Sequence, residues 1–235
     1  MLCLSLEYSA SSLCHSLLQH IYFQLLPKRI KCPILSENRY FIINKPTNMV
    51  SQFVSTHQVG LLGDLDFDFP EGTHAIGRLD KDSEGLLILT TDKRITRLLF
   101  LAAVPHERTY LVMVQNKFTP QTFQQLKEGV KIRIKDGEYY TAKPSSIEII
   151  NNPLTLYKYA ADHRDAYPNT WLLITLTEGK FRQVRKMVLA VKHRCQRLIR
   201  LSISNITLGD LPPGEVREID KAEFYKLIKI LPSTF

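Results

Sequence analysis

The sequence predicts an α+β protein built on a mixed, largely antiparallel sheet. Three observations point there. Runs rich in β-branched and aromatic residues recur along the chain, several separated only by short turns. Helical patterns are interspersed among them rather than alternating strand by strand, so regular βαβ winding does not fit. The chain also carries no internal repeat, low-complexity tract, P-loop or GxGxxG fingerprint. Its 235 residues suit one large domain or two small ones with a real core.

The first 36 residues are apolar, rich in Ser and Cys, and have no basic residue before Lys28. A secretory signal would carry its positive charge first. Residues 1–36 therefore read as an N-terminal extension of doubtful order, and residues 37–235 as the folded domain. "RYFIINKP" is a strand that ends at Lys45-Pro46, because the residue before proline is pushed to extended geometry. "NMVSQFVS" reads as a second extended piece, and "GLLGDLDFDFPEGTH" as a loop with four acids. "LLILTT" (Leu86–Thr91) is a strand after Gly85, and Asp92 caps a helix whose Ile95, Leu98 and Leu99 share a face.

"RTYLVMVQ" (Arg108–Gln115) is a strand. Thr119 caps a helix that opens on Pro120 and closes at Gly129. "KIRI" and "EYYTAKPSSIEII" read as strands about a turn at Asp136-Gly137. "WLLITLTE" is a strand, "RQVRKMVLAVK" a short helix with Val184, Met187, Val188 and Val191 inward, and "QRLIRLSISNITL" another strand. "LPPGEVREI" leads to Asp220, where Asp220-x-x-Glu223 forms a capping box for a terminal helix.

Hydrophobic residues are 44% and charged residues 23%, which is ordinary for a globular domain. Net charge is +8 with a pI near 9.3, so an anionic partner is plausible. The charge is concentrated. From Glu178 to Arg200, eight Lys and Arg stand against one acid, giving +7 in one stretch. That reads as a phosphate-binding face, or more blandly as a solvated basic helix. Cys3, Cys14, Cys32 and Cys195 show no CxxC spacing, and the seven histidines no HExxH. Neither a disulfide framework nor a metal site is expected, and a reducing compartment fits. No apolar run reaches the roughly 20 residues that span a bilayer, so no membrane partner is expected.

The most informative stretch is "GRLDKDSEGLLILTTD" (Gly77–Asp92), with four acids, two bases and two glycines around an apolar run. With His74–Ile76 ahead of it, it resembles the signature of bacterial ribosomal RNA pseudouridine synthases, G-R-L-D-x-D-S-E-G-L-L-x-L-T. Two more matches follow in order. "ERTYLVMV" is similar to the family's K-x-Y-x-V strand, with Arg108 where lysine is usual. "TEGKFRQVRKM" is similar to E-G-x-x-R-Q-V-R-R-M, and "RLIRLSISNITLGDLPPGEVREI" to the L-x-R-x-x-I-G segment after it. The likeness runs from about Arg39 to Ile219. "NKPTNMVSQF" resembles the start of the large-subunit subgroup that lacks an RNA-binding S4 module.

The resemblance implies two linked α+β halves around a basic cleft. It also implies conversion of a specific uridine to pseudouridine in ribosomal RNA, with no cofactor and no metal. The partner is then ribosomal RNA, most like that of the large subunit, or an assembling subunit. A monomer working in the cytoplasm is expected.

The reaction breaks the C1′–N1 bond, turns the uracil and rejoins it through C5. A carboxylate acts on the substrate, either as nucleophile or by taking a sugar proton. The resemblance places it at Asp80 and gives Arg185 the task of keeping it ionised in a dry cleft. Tyr110 corresponds to the ring that stacks on the flipped uracil, Leu198 to a leucine beneath it, and Arg78 to an RNA contact where the base leaves its stack. Without the resemblance, Asp80 is one loop acid among many, and Tyr110 and Leu198 are core residues. Asp82 and Glu84 read as solvated or turn-stabilising. Lys180, Arg182, Lys186, Lys192 and Arg194 read as phosphate contacts. Two rivals remain: a catalytically silent RNA-binding protein of the same fold, and a glycoside-cleaving hydrolase that pairs Asp80 with Asp82.

Overall fold

A continuous run of apolar residues marks the first strand of the computed structural model, which describes residues 37–101, 105–134, 137–161 and 168–229. β1 (Tyr40–Lys45) is buried along its whole length. It is flanked on both sides by strands and covered on both faces, so alternation gives way to continuity. β2 (His74–Ile76) and β3 (Glu84–Thr90) follow, then α1 (Arg94–Leu101), β4 (Arg108–Gln115) and α2 (Pro120–Glu128). Next come β5 (Val130–Arg133), β6 (Tyr139–Ala142), β7 (Ser146–Ile150), β8 (Asn169–Leu176) and α3 (Gln183–Ala190). β9 (Cys195–Ile203), β10 (Ile206–Thr207), β11 (Val216–Ile219) and α4 (Lys221–Ile228) complete the chain. One compact unit takes in Asn38–Phe235 and another Met1–Glu37. The expected extension at residues 1–36 lies outside the described residues.

The main sheet runs β11-β1-β3-β9-β4-β8-β7, while β5 and β6 form a separate ribbon. Its pairings are antiparallel except β3 with β9, which meet in parallel over only Glu84↔Ile199 and Gly85↔Arg200. That short parallel seam joins the two halves of an α+β fold. It exists because position 85 is glycine. Gly85 has φ +98°, and a Cβ there would lie 2.4 Å from the Arg200 carbonyl oxygen.

The seam also opens the sheet. β3 shares one edge between two partners, with β9 at Glu84–Gly85 and β2 at Ile88–Thr90. β2 and β9 therefore diverge along the same strand. The gap between them is a cleft, walled by the residues after β2 on one side and by β9 and β4 on the other.

Three apolar clusters hold this frame. Tyr40, Ile42, Leu86 and Ile88 face α1 and α4 through Ile95, Leu99, Phe224 and Ile228. Their sequence neighbours Phe41, Ile43, Leu87 and Leu89 point the other way, onto Leu62 and the rings of Phe53, Phe67 and Phe69. The third cluster packs β4, β8 and β9 against Val184, Met187, Val188 and Val191 of the α3 region, as its spacing predicts. Each such side chain fully buried contributes roughly 1.5–3 kcal/mol.

Most elements fall where the sequence puts them. The Thr119 side chain accepts from the Thr122 amide, Pro120 opens α2 and Gly129 ends it at φ 113°. Asp220 accepts from the amides of Ala222 and Glu223. Three segments differ. Residues 47–54 are not a strand; they form a loop with one bridge, Met49 to Gly60, because Lys45 Nζ takes the Pro46 and Met49 carbonyls at 2.8 and 2.7 Å. "EYYTAKPSSIEII" breaks at Lys143-Pro144 into β6 and β7, and "QRLIRLSISNITL" turns back at Ser204 (φ 50°) into the β9–β10 hairpin. Asp136 of the expected turn lies outside the described residues.

Candidate active site

The cleft has a volume of about 830 Å³ and brings together Arg78, Asp80, Tyr110, Lys180, Arg182, Leu198 and Arg200. One wall is the tight turn after β2, where the Ser83 amide donates to the Asp80 carbonyl at 3.0 Å. Leu79, just before the carboxylate, is anchored from below. The buried Ser51 hydroxyl donates to the Leu79 carbonyl and accepts from the Leu79 amide, both at 3.0 Å. Asp80 is thus held on a clamped backbone, with its side chain 26% exposed toward the cleft.

The opposite wall comes from β4 and β9. A register shift between Thr109 and Tyr110 skips Leu201, so that Tyr110 stands opposite Arg200 and Val112 opposite Leu198. Leu198 and Arg200, two residues apart, share one face of β9. Arg200 is buried, with Nε donating to the Leu86 carbonyl at 2.8 Å. Burial pushes its guanidinium pKa down, and the nearby Tyr110 hydroxyl opposes that shift. Its Nη2 is buried without a hydrogen-bond partner, a donor that a bound substrate can use. His106 also lines the cleft. Its Nδ1 lies 2.8 Å from the Ser204 hydroxyl, and burial with Arg108 nearby keeps the imidazole below its ordinary pKa, so neutral at pH 7.

The cation facing Asp80 is Arg182, not Arg185. Arg182 adopts a left-handed conformation (φ 54°, ψ 31°) where β8 turns into α3. From there Nη1 lies 3.7 Å from Asp80 Oδ2, while the same guanidinium binds Asp82 through both oxygens at 3.1 and 2.8 Å. Arg185, one turn into the helix, donates instead to the Asp82 carbonyl at 2.6 Å and to the Ser83 hydroxyl at 3.3 Å. It secures the turn that carries Asp80. Burial tends to raise the Asp82 pKa, but the Arg182 hydrogen bond and the Arg185 charge hold it below the usual range.

Glu84 is not solvated. It forms a two-oxygen pair with Arg197, both bonds at 2.9 Å, and Arg197 also donates to the Ala160 carbonyl at 2.9 Å. The basic stretch is accordingly not one phosphate face. Arg197 and Arg200 are buried, and Arg182 and Arg185 are held by the Asp82 turn. The sequence pattern could not separate them, because Arg197 and Arg200 lie on opposite faces of β9 and both are buried, so no alternation marks them. Lys186 donates to the Arg133 carbonyl at 2.7 Å, and Lys192 and Arg194 are exposed just beyond α3, none of them lining the cleft. Lys180 lies at the cleft mouth, 3.9 Å from Glu178 and 4.1 Å from the centroid of Tyr140.

Sequence reasoning passed over Ser51, His106 and Lys45. Lys45 is completely buried, and burial lowers its pKa to about 8 against the opposing charges of Glu84, Asp82 and Asp80. Nothing in the spacing of these residues marks them; Ser51 and Lys45 act on backbone groups, and His106 meets the Ser204 hydroxyl, that the fold brings to them.

Comparison with known proteins agrees with this geometry. The family model described as RNA pseudouridylate synthase matches residues 39–190. A ribosomal large subunit pseudouridine synthase E of Vibrio vulnificus is 39% identical over 186 residues, covering 79% of this chain and 76% of the relative. The ribosomal small subunit pseudouridine synthase A of Escherichia coli K12 is 29% identical over 213 residues, covering 88% and 84%. A crystal structure of a pseudouridylate synthase superposes with a TM-score of 0.63 at 29% identity, over 81% of this chain and 74% of that one. With the clamped aspartate, the β4 tyrosine and the β9 leucine standing in one cleft inside the matched fold, the chain belongs to the RNA pseudouridylate synthase family, enzymes that isomerise uridine to pseudouridine in RNA.

Proposed function

We propose that this enzyme isomerises one uridine of large-subunit ribosomal RNA, as a monomer in the cytoplasm, and that Asp80 is its catalytic residue. The observation that carries the reading is the cleft itself. Asp80 stands on a clamped turn across from Tyr110, Leu198 and Arg200, while its neighbour Asp82 is engaged by Arg182 through both oxygens. The Vibrio relative named for the large subunit supports the choice of RNA.

In the mechanism the target base leaves its stack and enters the cleft. Asp80 attacks C1′, or takes a sugar proton, as the C1′–N1 bond breaks. The freed uracil turns between Tyr110 and Leu198, C5 bonds to C1′ as the Asp80–C1′ bond breaks or as the sugar takes its proton back, and the C5 proton is lost to solvent while N1 takes one up. No electrons are gained or lost overall. Arg182 balances the Asp80 charge, and Arg185 holds the turn through the Asp82 carbonyl. Arg78 and Lys180, at the cleft edge, meet phosphates, while Lys186, Lys192 and Arg194 extend that contact beyond the mouth.

The hydrolase reading fares worse. It needs one carboxyl kept protonated beside another, whereas Asp82 is held ionised by Arg182. Tritium release from ribosomal RNA labelled at C5 of uridine tests the chemistry. Release without free base supports isomerisation; free base or a cut sugar supports hydrolysis; binding without release supports a silent protein. Mapping pseudouridines in ribosomal RNA of a deletion strain identifies the site.

A further inference from the structure

Just outside the cleft, one large apolar ring faces water. Phe181 sits in the turn between β8 and α3, between Lys180 and Arg182, and is 74% exposed. It belongs to none of the three apolar clusters. Among the described residues few other large apolar side chains are this open, and Phe181 also lines the mouth of the cleft.

Its surroundings are cationic and built. The Lys186 ammonium lies 5.4 Å from the ring centroid, fixed there by its bond to the Arg133 carbonyl. Lys180 next to it is placed over Tyr140, whose hydroxyl donates to Glu178 at 2.8 Å. That bond and the one from Lys186 tie the β5–β6 ribbon to the turn that carries Phe181. The adjacent left-handed Arg182 fixes the turn further, through both oxygens of Asp82.

We propose that Phe181 is a stacking platform for an unpaired nucleotide next to the target uridine, with Lys186 and Lys180 taking the neighbouring phosphates. An exposed ring costs hydration, and nothing in the core requires it. A base has a π-face whatever its identity, so stacking gives affinity without demanding a sequence. A base flipped into the cleft leaves its neighbour unstacked, and a ring beside the mouth offers that neighbour a replacement surface. The ammonium groups beside the ring suit the phosphates on either side of such a nucleotide. The platform deepens the proposed function and rests on its reading of RNA entering this cleft.

The test uses the indole of Phe181→Trp as a reporter. The native chain has one tryptophan, Trp171, and it is buried, so the added indole dominates any RNA-dependent change. Deproteinised ribosomal RNA from a deletion strain is the probe, with binding followed separately by filter retention. Stacking predicts strong quenching that saturates with binding. Phe181→Ala and Phe181→Leu should each raise KM for pseudouridine formation about tenfold, within the range for one stacked base, with kcat within about twofold. Phe181→Tyr should behave as wild type. The leucine variant separates stacking from simple apolar contact. An unquenched indole at saturating RNA, or a leucine variant with wild-type KM and affinity, overturns the platform. Wild-type turnover on the same RNA is the separate check: its absence overturns the proposed substrate, while quenching still decides the platform.

Discussion

Single side chains decide whether the carboxylate is in place. Ser51 lines the cleft, and its hydroxyl satisfies both backbone groups of Leu79. Ser51→Ala leaves a buried amide and carbonyl unpaired, at a cost of about 1–3 kcal/mol. It also frees the backbone under Asp80, and a shift of about 1 Å costs on the order of a hundredfold in rate. The expected result in steady-state kinetics is a kcat lowered by about tenfold or more with KM nearly unchanged; an equal loss in KM would point to damaged RNA binding instead. A buried carboxylate outside the cleft lining, Asp92, serves stability. Asp92 accepts from Arg94, from the Tyr40 and Tyr225 hydroxyls and from the Arg94 amide, and the Arg94 bond above all holds its pKa at about 2 against an ordinary 3.8. Because the folded value is the lower one, its contribution is present above about pH 4 and is lost as pH falls toward 2. That contribution is about 2 kcal/mol. Urea unfolding should show Asp92→Asn well below wild type at pH 6, with the gap narrowing by pH 3. The sequence marks Asp92 as a helix cap and Asp80 as the signature acid. It cannot show that Arg182 rather than Arg185 faces Asp80, since that depends on a left-handed turn one residue before the helix.

Among the elements, the short parallel seam between β3 and β9 matters most. It brings the Asp80 turn beside Tyr110 and Arg200, and it depends on a close backbone approach at Gly85. Gly85→Ala puts a methyl 2.4 Å from a carbonyl oxygen at a backbone angle that alanine rarely adopts. A loss of at least about 3 kcal/mol is expected, read by denaturant unfolding, with activity falling alongside. A near-neutral Gly85→Ala would show that the two halves can shift apart without cost. Strands and helices themselves are readable in the sequence wherever periodicity and caps agree, as at Thr119-Pro120 and Gly129. The pairing is not. Which strand meets which is settled by long-range packing, and the split edge of β3 that opens the cleft leaves no local pattern. The β-rich residues on either side of Lys143-Pro144 hide the break there.

Across the whole molecule, charge is where sequence and structure part most. The +7 stretch separates in three dimensions into buried guanidiniums, cations held by the Asp82 turn, and exposed groups beyond α3. Lys192 and Arg194 are the exposed members of the stretch, open to phosphates beyond the cleft and to the counterion release that goes with them. Replacing both with alanine should flatten the dependence of log K on log salt by roughly 0.7–0.9 for each phosphate no longer neutralised, leaving the modified uridine unchanged. An unchanged slope would place the RNA elsewhere. The family and its reaction follow from the fold and the matched signature; the residue that performs the reaction is tested most directly by exchanging one oxygen for an amide. Asp80→Asn preserves shape, and Arg182 keeps both bonds to Asp82, so circular dichroism and the melting curve should barely change. Pseudouridine formed per enzyme on ribosomal RNA should fall to background, while Asp82→Asn, two residues on, keeps measurable turnover. Substantial turnover by folded Asp80→Asn would contradict the assignment of Asp80 as the catalytic group.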